Sequence, residues 1–135
     1  MTDPELVAKK LAFIETCVRE LRTLAHPERI ADDLREERFV EHTLQLAIQA
    51  ALDVGSHVVS DERLGEPDTN RDVFRLLGRA GVVPVDLAGR LEQMAGFRNG
   101  VVHLYQDVDL GIVRDVVENH LGDLLDFATA IRRSL

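Results

Sequence analysis

Tryptophan is missing from this 135-residue chain, tyrosine and cysteine occur once each, and aromatic residues make up only 4% of it. A core without large rings has to be filled by Leu, Val, Ala and Ile, a composition that suits packed helices. The single cysteine, Cys17, excludes an internal disulfide and has no companion thiol with which to hold a metal. It falls among apolar residues at helical spacing and reads as a buried core thiol. The four prolines and nine glycines are scattered, which excludes a low-complexity or linker segment. No apolar run approaches the ~20 residues that span a bilayer. The opening MTDPELVAKK lacks a signal-peptide pattern, so the expectation is a cytoplasmic protein. Basic charge is also short, with 16 Lys and Arg against 24 Asp and Glu and a net charge of −8. Such a surface repels phosphate in general.

What is present is a hydrophobic fraction of 45%, enough for one core, and the expectation is a single domain over residues 1–135. Residues 3–25 read as a helix, with Asp3 as N-cap and Pro4 at the first helical position. Val7, Leu11, Ile14, Val18, Leu21 and Ala25 recur there in steps of three and four, as a core-facing stripe requires. A second helix runs from about Asp33 to Arg63 on the stripe Val40, Leu44, Ala47, Ala51, Val54 and Val58. Glu36, Glu37, Arg38, Glu41 and Gln45 form its polar opposite face, and two such helices predict an antiparallel hairpin. The cluster from Leu64 to Asn70 is a turn. A third helix spans about Asn70 to Ala80, closed by Gly81. A fourth opens at Pro84 or its neighbour and runs to about His103. Asp107 or Asp109 caps a fifth, carrying Ile112, Val116, Leu121, Leu124, Ala128 and Ile131. No segment alternates at period two. The fold class predicted is all-α, an up-and-down bundle of four to five helices.

Charge is unevenly spread. From Arg71 to Tyr105 five arginines (71, 75, 79, 90, 98) face three acids, a local +2 in a chain of −8. Arg71, Arg75 and Arg79 recur every fourth residue as one basic edge, a candidate contact for a phosphate backbone. By contrast His26, His42, His57 and His120 lie on separate segments without ligand spacing and read as ordinary residues. The acidic pairs Asp32-Asp33 and Glu36-Glu37 suit a helix start. No metal or other cofactor is expected.

The stretch Met94 to Asp109, MAGFRNGVVHLYQDVD, carries the chemistry. Gly89, Gly96 and Gly100 share a helical stripe that ends in His103, which suggests close approach of another backbone, from this chain or a partner. Asn99 and His103, four apart, stack on one face, and Arg98 lies about 100° round from Asn99. Arg, Asn and His at one helix end make a cationic, hydrogen-bonding site suited to a phosphodiester. A guanidinium steadies developing negative charge, and an imidazole moves a proton near neutral pH. The residues alone leave three readings open: an enzyme, a non-catalytic helical module that binds a nucleotide or a nucleotidyltransferase, or a purely structural dimeric bundle.

The run from Phe97 to Tyr105 resembles the signature of HEPN-domain toxins of the HepT-like family: Arg, a polar residue, three more residues, His, one residue, Tyr. The stretch His42 to Asp53 looks like that family's long helix, and Phe74, Leu77 and Gly81-Val82-Val83 like its middle segment. The likeness covers roughly residues 4 to 133. It implies a metal-independent ribonuclease toxin with a composite site where two subunits of a homodimer face each other. In that reading Arg98 stabilises the phosphate in transition, His103 acts as general base or acid, and Asn99 orients substrate or the histidine. A cyclic 2′,3′-phosphate is the implied product. The implied partners are RNA and a minimal nucleotidyltransferase antitoxin that transfers AMP onto Tyr105.

Overall fold

The computed structural model describes residues 3–103 and 109–135, with side chains for 3–99 and 109–135. Regular structure among these residues is entirely helical. The helices are α1 Pro4–Leu24, α2 Leu34–Asp61, α3 Asn70–Arg79, α4 Val85–His103, α5 Leu110–Asn119 and α6 Leu121–Ser134, with one 3-10 turn at Pro27–Arg29.

Capping explains where these elements begin. The Asp3 carboxylate accepts from the backbone N–H of Glu5 and Leu6, Asp33 from Arg35 and Glu36, and Asp109 from Gly111 and Ile112. At α3 the cap is Thr69, in a reciprocal capping box with Asp72. The end of α3 follows from Gly81, which adopts φ +78°. Its N–H donates to the Gly78 carbonyl at 3.2 Å and that of Val82 to Leu77 at 3.0 Å, closing the orphan carbonyls in a Schellman motif.

The two N-terminal helices form the expected antiparallel hairpin: Lys10 lies beside Asp53, and the backbone N–H of Asp3 reaches His57. All six apolar positions foreseen on α2 are buried. So are five of the six on α1, and Ala25 packs half-buried against the core. Helix α2 goes further. It also buries Thr43, Ile48, Ala50, Leu52, Gly55 and Val59, because α1, α3, α4, α5 and α6 all pack on it. The core is closed by Phe74 of α3 and Phe127 of α6, which meet edge to face with centroids 5.8 Å apart. Helices α3 and α4 approach so closely that a Cβ on Gly78 would stand 2.6 Å from that of Ala88.

One expectation is corrected. The segment read as a single fifth helix is two, broken at Asn119–His120. The step from Val116 to Leu121 is five residues, too long for one stripe at 3.6 residues per turn. The chain re-phases there, and Ile112 is 50% exposed rather than core-facing.

Candidate active site

The fold sets α4 between α3 and α2, so the polar residues of its last turns meet side chains from both. Arg98 is half-buried, and its Nη2 donates to the Gln49 amide oxygen on α2. Its Nη1 donates to the Asn99 side-chain oxygen at 3.3 Å, and the same oxygen accepts from Asn70 Nδ2 at 2.9 Å. Among the described residues, Arg98 Nε is buried without a hydrogen-bond partner. Among the described residues the guanidinium is thus oriented by two neutral amides and meets no carboxylate.

Arg71 joins this group from α3. Its guanidinium lies directly over Gly96: a Cβ there would stand 2.1 Å from Nη2 and 2.7 Å from Cζ. Gly96 precedes Asn99 by three residues and so shares its face of α4. This accounts for one of the mid-helix glycines, although the close neighbour is an arginine head and no backbone. Gly89 has nothing within 4 Å of a Cβ. The stripe therefore does not act as one groove for a backbone of this chain among the described residues.

The other two arginines of the basic edge are placed differently. Arg75 is exposed and pairs with Asp72 at 2.8 Å. That carboxylate is held below its ordinary range by the backbone N–H of Asp68, with Arg75 and Thr69 contributing. Arg79, also exposed, lies two turns beyond Arg71, about 12 Å along the axis. Of the residues singled out in the sequence, the structure brings together Arg98 and Asn99, and sets Arg71 over Gly96. His103 is the last residue of α4. Its side chain and the surroundings of Gly100 are not described, and Tyr105 and Asp107 lie outside the described residues.

Two site residues were missed in the sequence. Asn70 was read only as the start of a helix, and Gln49 was passed over. A signal for Gln49 did exist: Gln45, Gln49 and Asp53 recur every fourth residue within a stretch of α2 otherwise almost wholly buried. Beside Gln49, Leu6, Phe13 and Leu46 line a groove of about 390 Å³ with Lys9, Lys10 and Asp53. Cys17 is buried as expected, and desolvation pushes its thiol up from the ordinary value, which makes it unreactive. Among the described residues no three His, Cys, Asp or Glu side chains are gathered to hold a metal ion. No helix among them is long and apolar enough to cross a membrane.

The helical bundle among the described residues, with Arg98 and His103 five residues apart at the end of one helix, is similar to that of HEPN-type proteins. Residues 14–131 match the ribonuclease HepT-like family, and the chain belongs to it. It is 30% identical over 129 residues to the mRNA nuclease HepT of Shewanella oneidensis, covering 95% of this chain and 97% of that protein. It is 35% identical over 112 residues to the tRNA nuclease HepT of Aphanizomenon flos-aquae, covering 79% and 74% respectively. In three dimensions it is similar to the tri-AMPylated Shewanella oneidensis HEPN toxin solved in complex with MNT antitoxin. That match has a TM-score of 0.88 at 30% identity and covers 98% of this chain and 99% of the other.

Proposed function

We propose that this chain is the ribonuclease toxin of a toxin–antitoxin pair, cleaving RNA without a metal through Arg98 and His103. The observation that carries this reading is the state of the Arg98 guanidinium. It is fixed by the amide oxygens of Gln49 and Asn99 and faces no carboxylate among its described partners. An arginine so held keeps its full charge for a phosphodiester, and that charge is worth most as the phosphate gains negative charge in the transition state. Asn99, itself steadied by Asn70, orients the guanidinium. Arg71 adds a second cation on the same face, suited to a neighbouring phosphate. His103 would take the 2′-hydroxyl proton or return one to the leaving 5′-oxygen, giving a cyclic 2′,3′-phosphate. Arg75 and Arg79 would extend the track along the RNA backbone.

The activities named for the Shewanella and Aphanizomenon relatives support the ribonuclease assignment. The Shewanella complex supports a nucleotidyltransferase antitoxin as partner and AMP transfer as the means of silencing. On this reading Tyr105 is the acceptor: AMP placed two residues from His103 would block the site and oppose its cations with phosphate charge. The site is completed by a second copy of the chain across a homodimer.

Incubating the purified chain with total RNA in EDTA tests the proposal. Cleavage should survive chelation and fall by at least two orders of magnitude in Arg98→Ala and His103→Ala, as for loss of a group acting in the transition state. No cleavage by the unmodified chain would leave a binding module in its place.

A further inference from the structure

Gln49 belongs to a chain of contacts with a definite direction. Its Nε2 donates to Asp53 Oδ1 at 2.8 Å, and Asp53 Oδ2 accepts from Lys10 Nζ on α1 at 3.4 Å. A carboxylate can only accept, so the amide of Gln49 must turn its NH2 toward Asp53 and its oxygen toward Arg98. Lys10 and Asp53 therefore set which end of Gln49 meets the guanidinium. The acid of this cluster lies one helical turn beyond Gln49, and the neutral amide stands between it and Arg98.

We propose that Gln49 is a positioning residue that fixes Arg98 through an uncharged oxygen, its orientation locked by Asp53, so that the guanidinium is held rigidly yet not neutralised. The inference rests on the reading of Arg98 as the phosphate-binding cation. A carboxylate at the same place would hold the arginine equally well and would compete with the phosphate for its charge. The order along the row is thus the functional feature: guanidinium, amide, carboxylate, ammonium.

The test exchanges the two middle members. The double variant Gln49→Glu/Asp53→Asn keeps one amide, one carboxylate and the cluster charge, and places the carboxylate against Arg98 and the amide against Lys10. It should fold with an unchanged or higher melting temperature and cleave RNA about a hundredfold more slowly, the loss associated with one electrostatic group in a transition state. Binding of a 2′-O-methylated single-stranded RNA reports the charge directly. The slope of log affinity against log salt should become shallower by about 0.7, the share of one phosphate contact. Cleavage equal to wild type overturns the inference, and so does slower cleavage with an unchanged salt slope, which marks a purely structural role.

If the exchange prevents folding, the single variant Gln49→Glu puts the same question, since it too sets a carboxylate against Arg98. It should cleave RNA more slowly than wild type, with a salt slope shallower by about 0.7. Cleavage equal to wild type, or an unchanged salt slope, overturns the proposal. A wild-type chain that binds RNA but does not cleave it removes the nuclease reading and leaves the salt slope to decide this one; a chain that does neither overturns both.

Discussion

Gly96 and Arg71 form a pair whose energetics run against the usual rule for helices. Replacing a mid-helix glycine by alanine ordinarily stabilises by ~0.5–1 kcal/mol. Here the added methyl would occupy the space of the Arg71 guanidinium, the movable end of an exposed side chain. Gly96→Ala is therefore expected to keep or raise the melting temperature while weakening RNA binding about as much as Arg71→Ala does. The double variant should bind no worse than either single one, because both remove the same cation from the same place. A double-mutant cycle of RNA affinities checks this, and additive losses would show that Arg71 does not act from its seat over Gly96. Glu41 on α2 supplies a second residue-scale outcome. Burial pushes its carboxyl above the ordinary 4.5, the neighbouring Glu37 adds to the shift, and Arg38 partly offsets it. A raised folded pKa means a stabilising contribution that is complete below 4.5 and lost as the pH climbs through the folded value. Glu41→Gln should accordingly raise the melting temperature at pH 7, with the gain disappearing below about pH 4; thermal melts at the two pH values read the difference.

Elements were legible in the sequence to the extent that local chemistry decides them. Asp3, Asp33 and Gly81 announced helix ends because a cap is satisfied within three residues, and the stripes of α1 and α2 needed only the period of the helix. The site was half legible for the same reason. Arg98 and Asn99 stand out within one short segment, whereas Gln49 and Asn70 meet them across 49 and 29 residues of chain. Neither partner has a mark of its own until α2 and α3 are packed beside α4. The break between α5 and α6 shows the opposite failure. The five-residue step was visible, but apolar residues on both sides of it made one uninterrupted helix look sufficient.

For the molecule as a whole, acidity and RNA chemistry are reconciled by geography. Arg71 of α3 stands over α4, the helix that carries Arg98, in a chain whose net charge is −8. If the proposed composite site is right, the smallest competent unit is a pair of chains. Light scattering should then give a mass twice that of one chain, and dilution that separates the pair should abolish cleavage while leaving each copy helical. A monomeric mass with full activity would remove the two-copy site and leave the single-chain one.

Helix α2 occupies the middle of the bundle, with Ile48 wholly enclosed and the next residue, Gln49, touching Arg98. Core and chemistry are therefore separated by a single peptide unit. A change of volume at Ile48 cannot be absorbed by a loop before it reaches the neighbouring amide. In this stretch, breeding the protein for heat resistance by repacking its interior would also retune the proposed RNA cleavage, and variants that lose it should surface among interior positions that never touch RNA.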